Sequence, residues 1–219
     1  ANGCTASASV SVTEPSALSA SASQGAAILC NGDLTTVTVS AAGGTPSYTG
    51  TGSFTVSAGS YSYTVTDANG CTLNQSATIT QPVAALSASA SQTQAVSCNS
   101  GTDGQISLSV SGGTTPYNFI WNNGASTQSL SNLSAGTYIA TVTDANGCTT
   151  VSSATVTQPV VALSGSTTTT SNISCFSGNN GSIDLTVAGG TAPYSYNWST
   201  GAVSQDLSGL SAGIYSVTI

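Results

Sequence analysis

The octapeptide Thr-Val-Thr-Asp-Ala-Asn-Gly-Cys occurs twice in the chain, at 64–71 and at 141–148. The copies lie 77 residues apart, and the chain begins with Ala-Asn-Gly-Cys at 1–4, the end of the same motif. A Gln-Pro or Glu-Pro pair follows each copy, at 14–15, 81–82 and 158–159. A fixed period of this length indicates a tandem array of small domains.

The period predicts where the repeats begin and end. Residues 1–15 correspond to the last strand of a preceding repeat, 16–82 to repeat 1, 83–159 to repeat 2 and 160–219 to repeat 3. Repeat 1 is shortened around Tyr48 to Phe54, so we expect it to lack a hairpin that the others have. Repeat 3 stops before its last strand, so we expect the chain to be a window from a longer array.

Apolar and polar residues alternate within each repeat, which predicts strands with one buried face. In repeat 2 this alternation covers 106–110, 117–121 and 138–142, and in repeat 3 it covers 183–187, 194–198 and 215–219. The pairs Asn69-Gly70 and Asn146-Gly147 are typical of two-residue type I′ hairpin turns. Short strands with closely spaced turns predict an all-β fold, a small antiparallel β-sandwich in each repeat of about 77 residues.

Eight aromatic side chains fall in these alternating runs, and we predict that they pack in the core or at a sheet edge. They are Tyr117, Phe119, Trp121, Tyr138, Tyr194, Tyr196, Trp198 and Tyr215. The alternative is a sugar-stacking platform built on Trp121 and Trp198 with the tyrosines beside them.

Only seven residues carry charge, all of them acidic, and the chain has no Lys, Arg or His. Charged residues make up 3% of the chain, against about 25% in an ordinary domain. The absence of His excludes Ser-His-Asp and Cys-His catalysis, and the absence of cationic side chains argues against nucleic-acid binding. We predict no enzyme. No stretch approaches the ~20 apolar residues of a membrane-spanning helix, so we expect no membrane insertion.

A surface without ions has a consequence for association. Ser, Thr, Asn and Gly can pack against copies of the same surface without the cost of desolvating charged groups. We therefore expect copies of the chain, or neighbouring repeats, to be its main partners, side by side or end to end.

Two cysteines in each repeat are typical of an oxidising compartment. Pairing within a repeat gives Cys30–Cys71 and Cys98–Cys148. Pairing across the Gln-Pro junctions gives Cys4–Cys30, Cys71–Cys98 and Cys148–Cys175. Free thiols are the third possibility, and the sequence leaves all three open.

Asp67 and Asp144 precede the Asn-Gly pairs and are the only candidates for a metal site. Calcium needs six to eight oxygen ligands, more than these segments offer. We therefore expect each carboxylate to accept hydrogen bonds from turn amides, and we expect no cofactor, with calcium as the alternative.

Several segments of repeat 2 resemble the SprB repeat, which occurs in large surface proteins of Bacteroidetes. They are V-S-C-N-S-G-T-D-G-Q-I at 96–106, S-G-G-T-T-P-Y-N-F-I-W at 111–121, L-S-N-L-S-A-G-T-Y at 130–138 and T-V-T-D-A-N-G-C at 141–148. The family includes a gliding-motility adhesin exported by the type IX secretion system. The resemblance implies immunoglobulin-like sandwiches, a secreted protein on the cell surface, and a role in adhesion or in building a stalk or filament. Surface glycans are the alternative partner that it implies, and it supplies no catalytic residues.

Overall fold

The computed structural model describes residues 2–219. Ala1, the first residue of the predicted segment 1–15, lies outside them. The described residues form sixteen β-strands, and among them there is no helix long and apolar enough to cross a bilayer.

Repeat 1 contains five strands in two sheets. The first sheet has the order β1-β2-β3, with β1 at Ser19–Gln24, β2 at Thr35–Ala42 and β3 at Gly52–Val56. The second pairs β4 (Gly59–Thr66) with β5 (Thr72–Ile79). Where repeat 2 has a further strand, repeat 1 has a single bridge between Thr49 and Thr66. The core is formed by Ile28, Val37, Val39, Val65 and Ile79.

Repeat 2 contains six strands in two three-stranded sheets. The first sheet has the order β6-β7-β9, with β6 at Ser87–Gln94, β7 at Gly104–Ser111 and β9 at Leu130–Leu133. The second has the order β11-β10-β8, with β8 at Asn118–Trp121, β10 at Gly136–Thr143 and β11 at Thr149–Val156. Its most deeply buried side chains come from both sheets and from the loop after β6: Val96, Ile106, Leu108, Trp121, Ala140, Val142 and Val156.

Repeat 3 contains five strands. The first sheet has the order β12-β13-β15, with β12 at Ser164–Ser171, β13 at Gly181–Ala188 and β15 at Leu207–Leu210. The second sheet pairs β14 (Asn197–Trp198) with β16 (Val217–Thr218). The fully buried core is small and consists of Leu185, Trp198 and Leu207.

The predicted fold class is confirmed in the described residues: they are all-β and form several antiparallel sheets. The strands form where apolar and polar residues alternate, because successive side chains of a strand point to opposite faces. In β2, for example, Val37 and Val39 are buried while Thr36 and Thr38 are exposed.

The described chain divides into two compact units. Unit 1 contains residues up to Ser87 together with Gly112–Tyr117 and Thr143–Cys148, and unit 2 contains Ala88–Ser111, Asn118–Val142 and Thr149–Ile219. Two loops of repeat 2 are thus part of the unit that contains repeat 1. The repeat boundaries after residues 82 and 159 stay predictions from the sequence.

Residues 2–18 differ from the prediction of a last strand, because they form no strand and nearly all of them are exposed. A strand is stable only when its backbone groups and its apolar face find partners. In the described chain this segment has the sequence pattern of a strand but does not pair with any sheet.

The Asn-Gly turns also differ from the predicted type. Positive φ falls on Gly70 (φ 83°) and Gly147 (φ 86°) and not on the asparagines before them, so type I′ is wrong. Gly70 N–H donates to Asp67 O, and Asp67 N–H donates to Cys71 O. This pattern is a type I turn followed by a left-handed glycine, which allows a hairpin to close over three residues.

Candidate functional site: the junction between repeats 1 and 2

The Asp144 carboxylate organises the loop of repeat 2 that faces repeat 1. Its Oδ1 accepts hydrogen bonds from the backbone N–H groups of Asn146 and Cys148, both at 2.9 Å. Its Oδ2 accepts one from Thr114 N–H, also at 2.9 Å. Burial raises the pKa of Asp144, but the amides of Thr114, Cys148 and Asn146 outweigh it and hold the pKa below its ordinary value.

Thr114 reaches the carboxylate because two glycines precede it. Gly112 and Gly113 have φ of 68° and 62°, in the left-handed region. A Cβ on Gly112 would collide with the carbonyl oxygen of Ala85. The loop therefore requires glycine for its conformation and also for its close approach to the backbone.

Repeat 1 contains the same arrangement around Asp67. Its carboxylate accepts N–H bonds from Thr45 at 2.9 Å, Asn69 at 3.0 Å and Cys71 at 2.9 Å. The Thr45 amide is the largest cause of the lowered pKa of Asp67. Each carboxylate thus has three backbone donors, and no group of three or more His, Cys, Asp or Glu that could hold a metal ion occurs in residues 2–219.

A disulfide joins the two repeats. Cys30, in a loop of repeat 1, is bonded to Cys148 of the Asp144 turn, with a Cα–Cα distance of 5.7 Å and a sequence separation of 118 residues. Both cysteines lie in unit 1.

This bridge corrects the predicted pairings. The structure forms neither Cys30–Cys71 nor Cys98–Cys148, and it forms none of Cys4–Cys30, Cys71–Cys98 and Cys148–Cys175. The remaining cysteines of the described chain, at positions 4, 71, 98 and 175, are free and exposed.

Hydrogen bonds surround the bridge. Asn146 Nδ2 donates to Leu29 O at 3.0 Å and also to Thr114 Oγ1 at 3.0 Å. The loop that carries Cys30 is held in turn by the Gln-Pro pair: Asn31 Nδ2 donates to Pro82 O at 2.8 Å, and Gly32 N–H donates to Gln81 Oε1 at 2.9 Å. The motif residues that the sequence marks as a turn therefore also make the contact between repeats.

The same loop contacts recur in repeat 2. Asn99 Nδ2 donates to Pro159 O at 2.9 Å, and Ser100 N–H donates to Gln158 Oε1 at 2.9 Å. The sequence prediction missed the roles of Asn31, Asn99 and the two glutamines. The signal was available, because Cys-Asn and Gln-Pro recur at equivalent places in repeats 1 and 2.

The predicted aromatic residues occupy structural positions. Trp121 and Trp198 are each 2% exposed, and their indole N–H groups donate to Thr127 O and Ser204 O. Tyr117 and Tyr194 donate to Gly112 O and Gly189 O, and Tyr138 and Tyr215 donate to Ser134 O and Ser211 O. Tyr196 bonds to Gln205, and Phe119 is half-buried. The buried indoles leave no tryptophan platform on the surface for a sugar.

Comparison with known proteins supports the resemblance drawn from the motifs. Residues 90–126 and 167–203 match the family model described as SprB repeat, so the SprB-repeat resemblance is confirmed in repeats 2 and 3. No curated protein matches the chain.

Two solved structures are similar to the chain at low identity. The three N-terminal domains of the highly immunogenic outer capsid protein (Hoc) of bacteriophage RB49 are 17% identical, with a TM-score of 0.37, over 83% of this chain and 75% of that one. The N-terminal eight Ig domains of Down Syndrome Cell Adhesion Molecule are 14% identical, with a TM-score of 0.26, over 68% of this chain and 24% of that one.

Proposed function

Because two of its repeats match the SprB repeat, we propose that the chain is part of an extracellular stalk or filament on a bacterial surface, without catalysis. The observation that carries the proposal is the Cys30–Cys148 bridge. A disulfide between successive repeats transmits tension from one sandwich to the next without depending on hydrogen bonds alone. Such bridges form and persist in oxidising, extracellular compartments.

The surface supports the same role. The chain carries seven charges and no cationic side chain, so the polar groups on its outer faces are mainly hydroxyls and amides. Such faces can lie against each other without desolvating ions. We propose copies of the same chain as its principal partners, and adhesion as a property of the assembled surface.

Immunogold electron microscopy of intact cells that produce the protein, without a reducing agent, tests this function. We expect label on unpermeabilised cells and on material that projects from them. The control is the same labelling after permeabilisation, together with an antibody against a cytoplasmic protein. Label that appears only after permeabilisation contradicts the proposal.

A further inference from the structure

The second sheet of repeat 2 carries three large aliphatic side chains on its outer face. They are Ile120 of β8, Ile139 of β10 and Val151 of β11, and they are 65%, 42% and 63% exposed. The outward residues of a β-sandwich alternate with the core residues and are normally polar. These three side chains, which we call the aliphatic patch, are instead apolar and open to solvent.

Val151 lies beside Thr141 on this face. Thr137 Oγ1 and Thr155 Oγ1 are 3.1 Å apart, so these two residues face each other across the neighbouring strands β10 and β11. In an antiparallel pair, four residues forward on one strand correspond to four residues back on the other. Thr141 is therefore opposite Val151, and β4 and β5 of repeat 1 have the same register.

Ile120 lies on the other side of Thr141. Asn122 N–H donates to Ile139 O at 2.9 Å, so these residues are opposite each other and Ile120 is opposite Thr141. The equivalent strands of repeat 3, β14 and β16, have this register too. Ile120, Thr141 and Val151 thus form a row across the three strands, about 4.8 Å from one strand to the next, with Ile139 two residues along β10.

The other repeats have polar side chains at the positions of the aliphatic patch. These are Ser62 and Asn74 in repeat 1, and Asn197 and Ser216 in repeat 3. In repeat 1, Asn74 Oδ1 accepts a hydrogen bond from Thr64 Oγ1 at 2.7 Å, directly across the two strands. The same place in the fold accommodates polar residues, so the sandwich itself does not require the aliphatic patch.

The face around the patch carries no charge. The other outward residues of its three strands are Thr, Ser and Asn. Asp144, which follows β10, is 3% exposed and is bonded to amides of its own loop and turn. A charged partner surface would lose its water here without gaining an ion pair, which is costly. The face therefore fits a flat, neutral and partly apolar surface.

We propose that this face binds the same face of a second copy of the chain, in a two-fold symmetric dimer. When the two-fold axis runs parallel to the strands, β8 of one copy lies over β11 of the other. Ile120 then packs against Val151 of the second copy, and Thr141 lies against its own counterpart. Two stacked sheets are about 10 Å apart, which lets their facing side chains interdigitate.

The size of the face indicates a weak dimer. Three strands of this length present roughly 350 Å² of sheet, less than half of the ~800 Å² that each partner buries in a stable complex. On a cell surface that carries many copies, the local concentration is high, so a weak contact is sufficient. The inference rests on the proposed function for the nature of the partner, a copy of the chain, and it adds the surface that the copies use.

Sedimentation velocity of the purified chain over a concentration series measures the association. The free thiols are first alkylated without reduction, so that the Cys30–Cys148 bridge stays intact and disulfides between copies do not form. We expect monomer and dimer in a ratio that depends on concentration. A wild type that stays monomeric up to its solubility limit overturns the proposal.

Residues taken from the other repeats test the surface. The triple variant Ile120→Asn, Ile139→Ser, Val151→Asn gives the patch the polar side chains that repeats 1 and 3 carry at these positions. Circular dichroism checks that it keeps its fold, and we expect it to be monomeric at the concentration at which the wild type is half dimeric. The control Asn74→Asp places a charge at the equivalent position of repeat 1 and should dimerise as the wild type does. A folded triple variant that dimerises like the wild type overturns the proposal.

A pair of opposite charges tests the stacking register. Ile120→Lys places an ammonium group against Val151 of the second copy, and Val151→Asp places a carboxylate against Ile120, so each variant alone should be monomeric. In an equimolar mixture the two introduced charges meet at one contact while the other contact stays native. We therefore expect dimers that contain one copy of each variant. A mixture that remains monomeric overturns the two-fold arrangement.

These results are separable from the test of the proposed function. Sedimentation is measured on purified protein and does not depend on where the cell places the chain. Surface label on intact cells together with a monomeric wild type overturns the dimer alone. Dimers of the purified chain together with label only after permeabilisation overturn the surface location alone.

Discussion

Asp67 and Asp144 each accept three backbone N–H bonds: from the residue two positions on, from the residue four positions on, and from a threonine after the Gly-Gly pair. An ionised carboxylate is a stronger acceptor than a neutral one, so these bonds favour the charged form in the folded state. The turn that carries the cysteine is therefore organised by a negative charge, although the chain as a whole has very few.

The lowered pKa of Asp67 and Asp144 predicts a dependence of stability on pH. A carboxyl with a folded-state pKa below the ordinary value of 3.8 stabilises the fold above that value, and the contribution is lost as the pH falls through the folded-state pKa. We expect the melting temperature to be constant near neutral pH and to fall below about pH 4. Thermal unfolding followed by circular dichroism between neutral pH and strong acid measures this.

Asn variants separate this effect from general acid unfolding. Asp144→Asn should lower the melting temperature at neutral pH and reduce the loss on acidification. Glu14→Gln, in the exposed segment before β1, should leave the neutral melting temperature unchanged. A pH profile of Asp144→Asn equal to that of the wild type would contradict the role assigned to the carboxylate.

Neighbouring residues in the strands of repeat 2 differ sharply in burial. In β7, Ile106 and Leu108 are each 1% exposed, and they pack in the repeat that also buries Trp121. In β8 the neighbouring residue Ile120 faces outward and is 65% exposed. Since the sandwich is only two sheets thick, few other side chains can replace the contacts that are lost when a buried side chain is removed.

This contrast predicts the effect of two truncations. Leu108→Ala should lower the free energy of unfolding of repeat 2 by about 2–5 kcal/mol, because it removes buried methyl groups and leaves a cavity. Ile120→Ala should change it by no more than about 0.5 kcal/mol. Trp121 fluorescence in a Trp198→Phe background reports on repeat 2 during urea unfolding, because the described chain has no other tryptophan. Equal effects of the two truncations would show that Leu108 is not a core residue.

The molecule as a whole is constrained by the Cys30–Cys148 bridge. The bridge closes a loop of 118 residues that includes most of repeats 1 and 2. A cross-link of this length restricts the unfolded chain strongly, with a typical stabilisation of about 2–5 kcal/mol. It also reduces the length of chain that tension can extend, because the residues between the two cysteines are bypassed.

Mechanical extension tests the bridge directly. When the oxidised protein is pulled from its ends in a single-molecule experiment, we expect the contour length after complete unfolding to be roughly 400 Å shorter than for the reduced protein, since each residue extends about 3.6 Å. The double variant Cys30→Ser, Cys148→Ser should extend fully without reduction. Cys71→Ser should behave as the wild type. Equal extension of the oxidised and reduced wild type would contradict the bridge.

Local pattern was sufficient for the repeats, the all-β class and the position of the Asp turn, because alternation, glycine conformation and carboxylate–amide bonds act over a few residues. The details of that turn already depended on geometry: the sequence indicated type I′, while the structure places the left-handed conformation on Gly70 and Gly147 alone.

The cysteine partners could not be derived from the sequence. Both Cys30 and Cys148 stand beside recognisable motifs, but they are 118 residues apart, and their pairing depends on which loop of one repeat contacts which turn of the next. Hydrogen bonds such as Asn146 to Leu29 fix that contact, and they exist only when the two repeats are packed together.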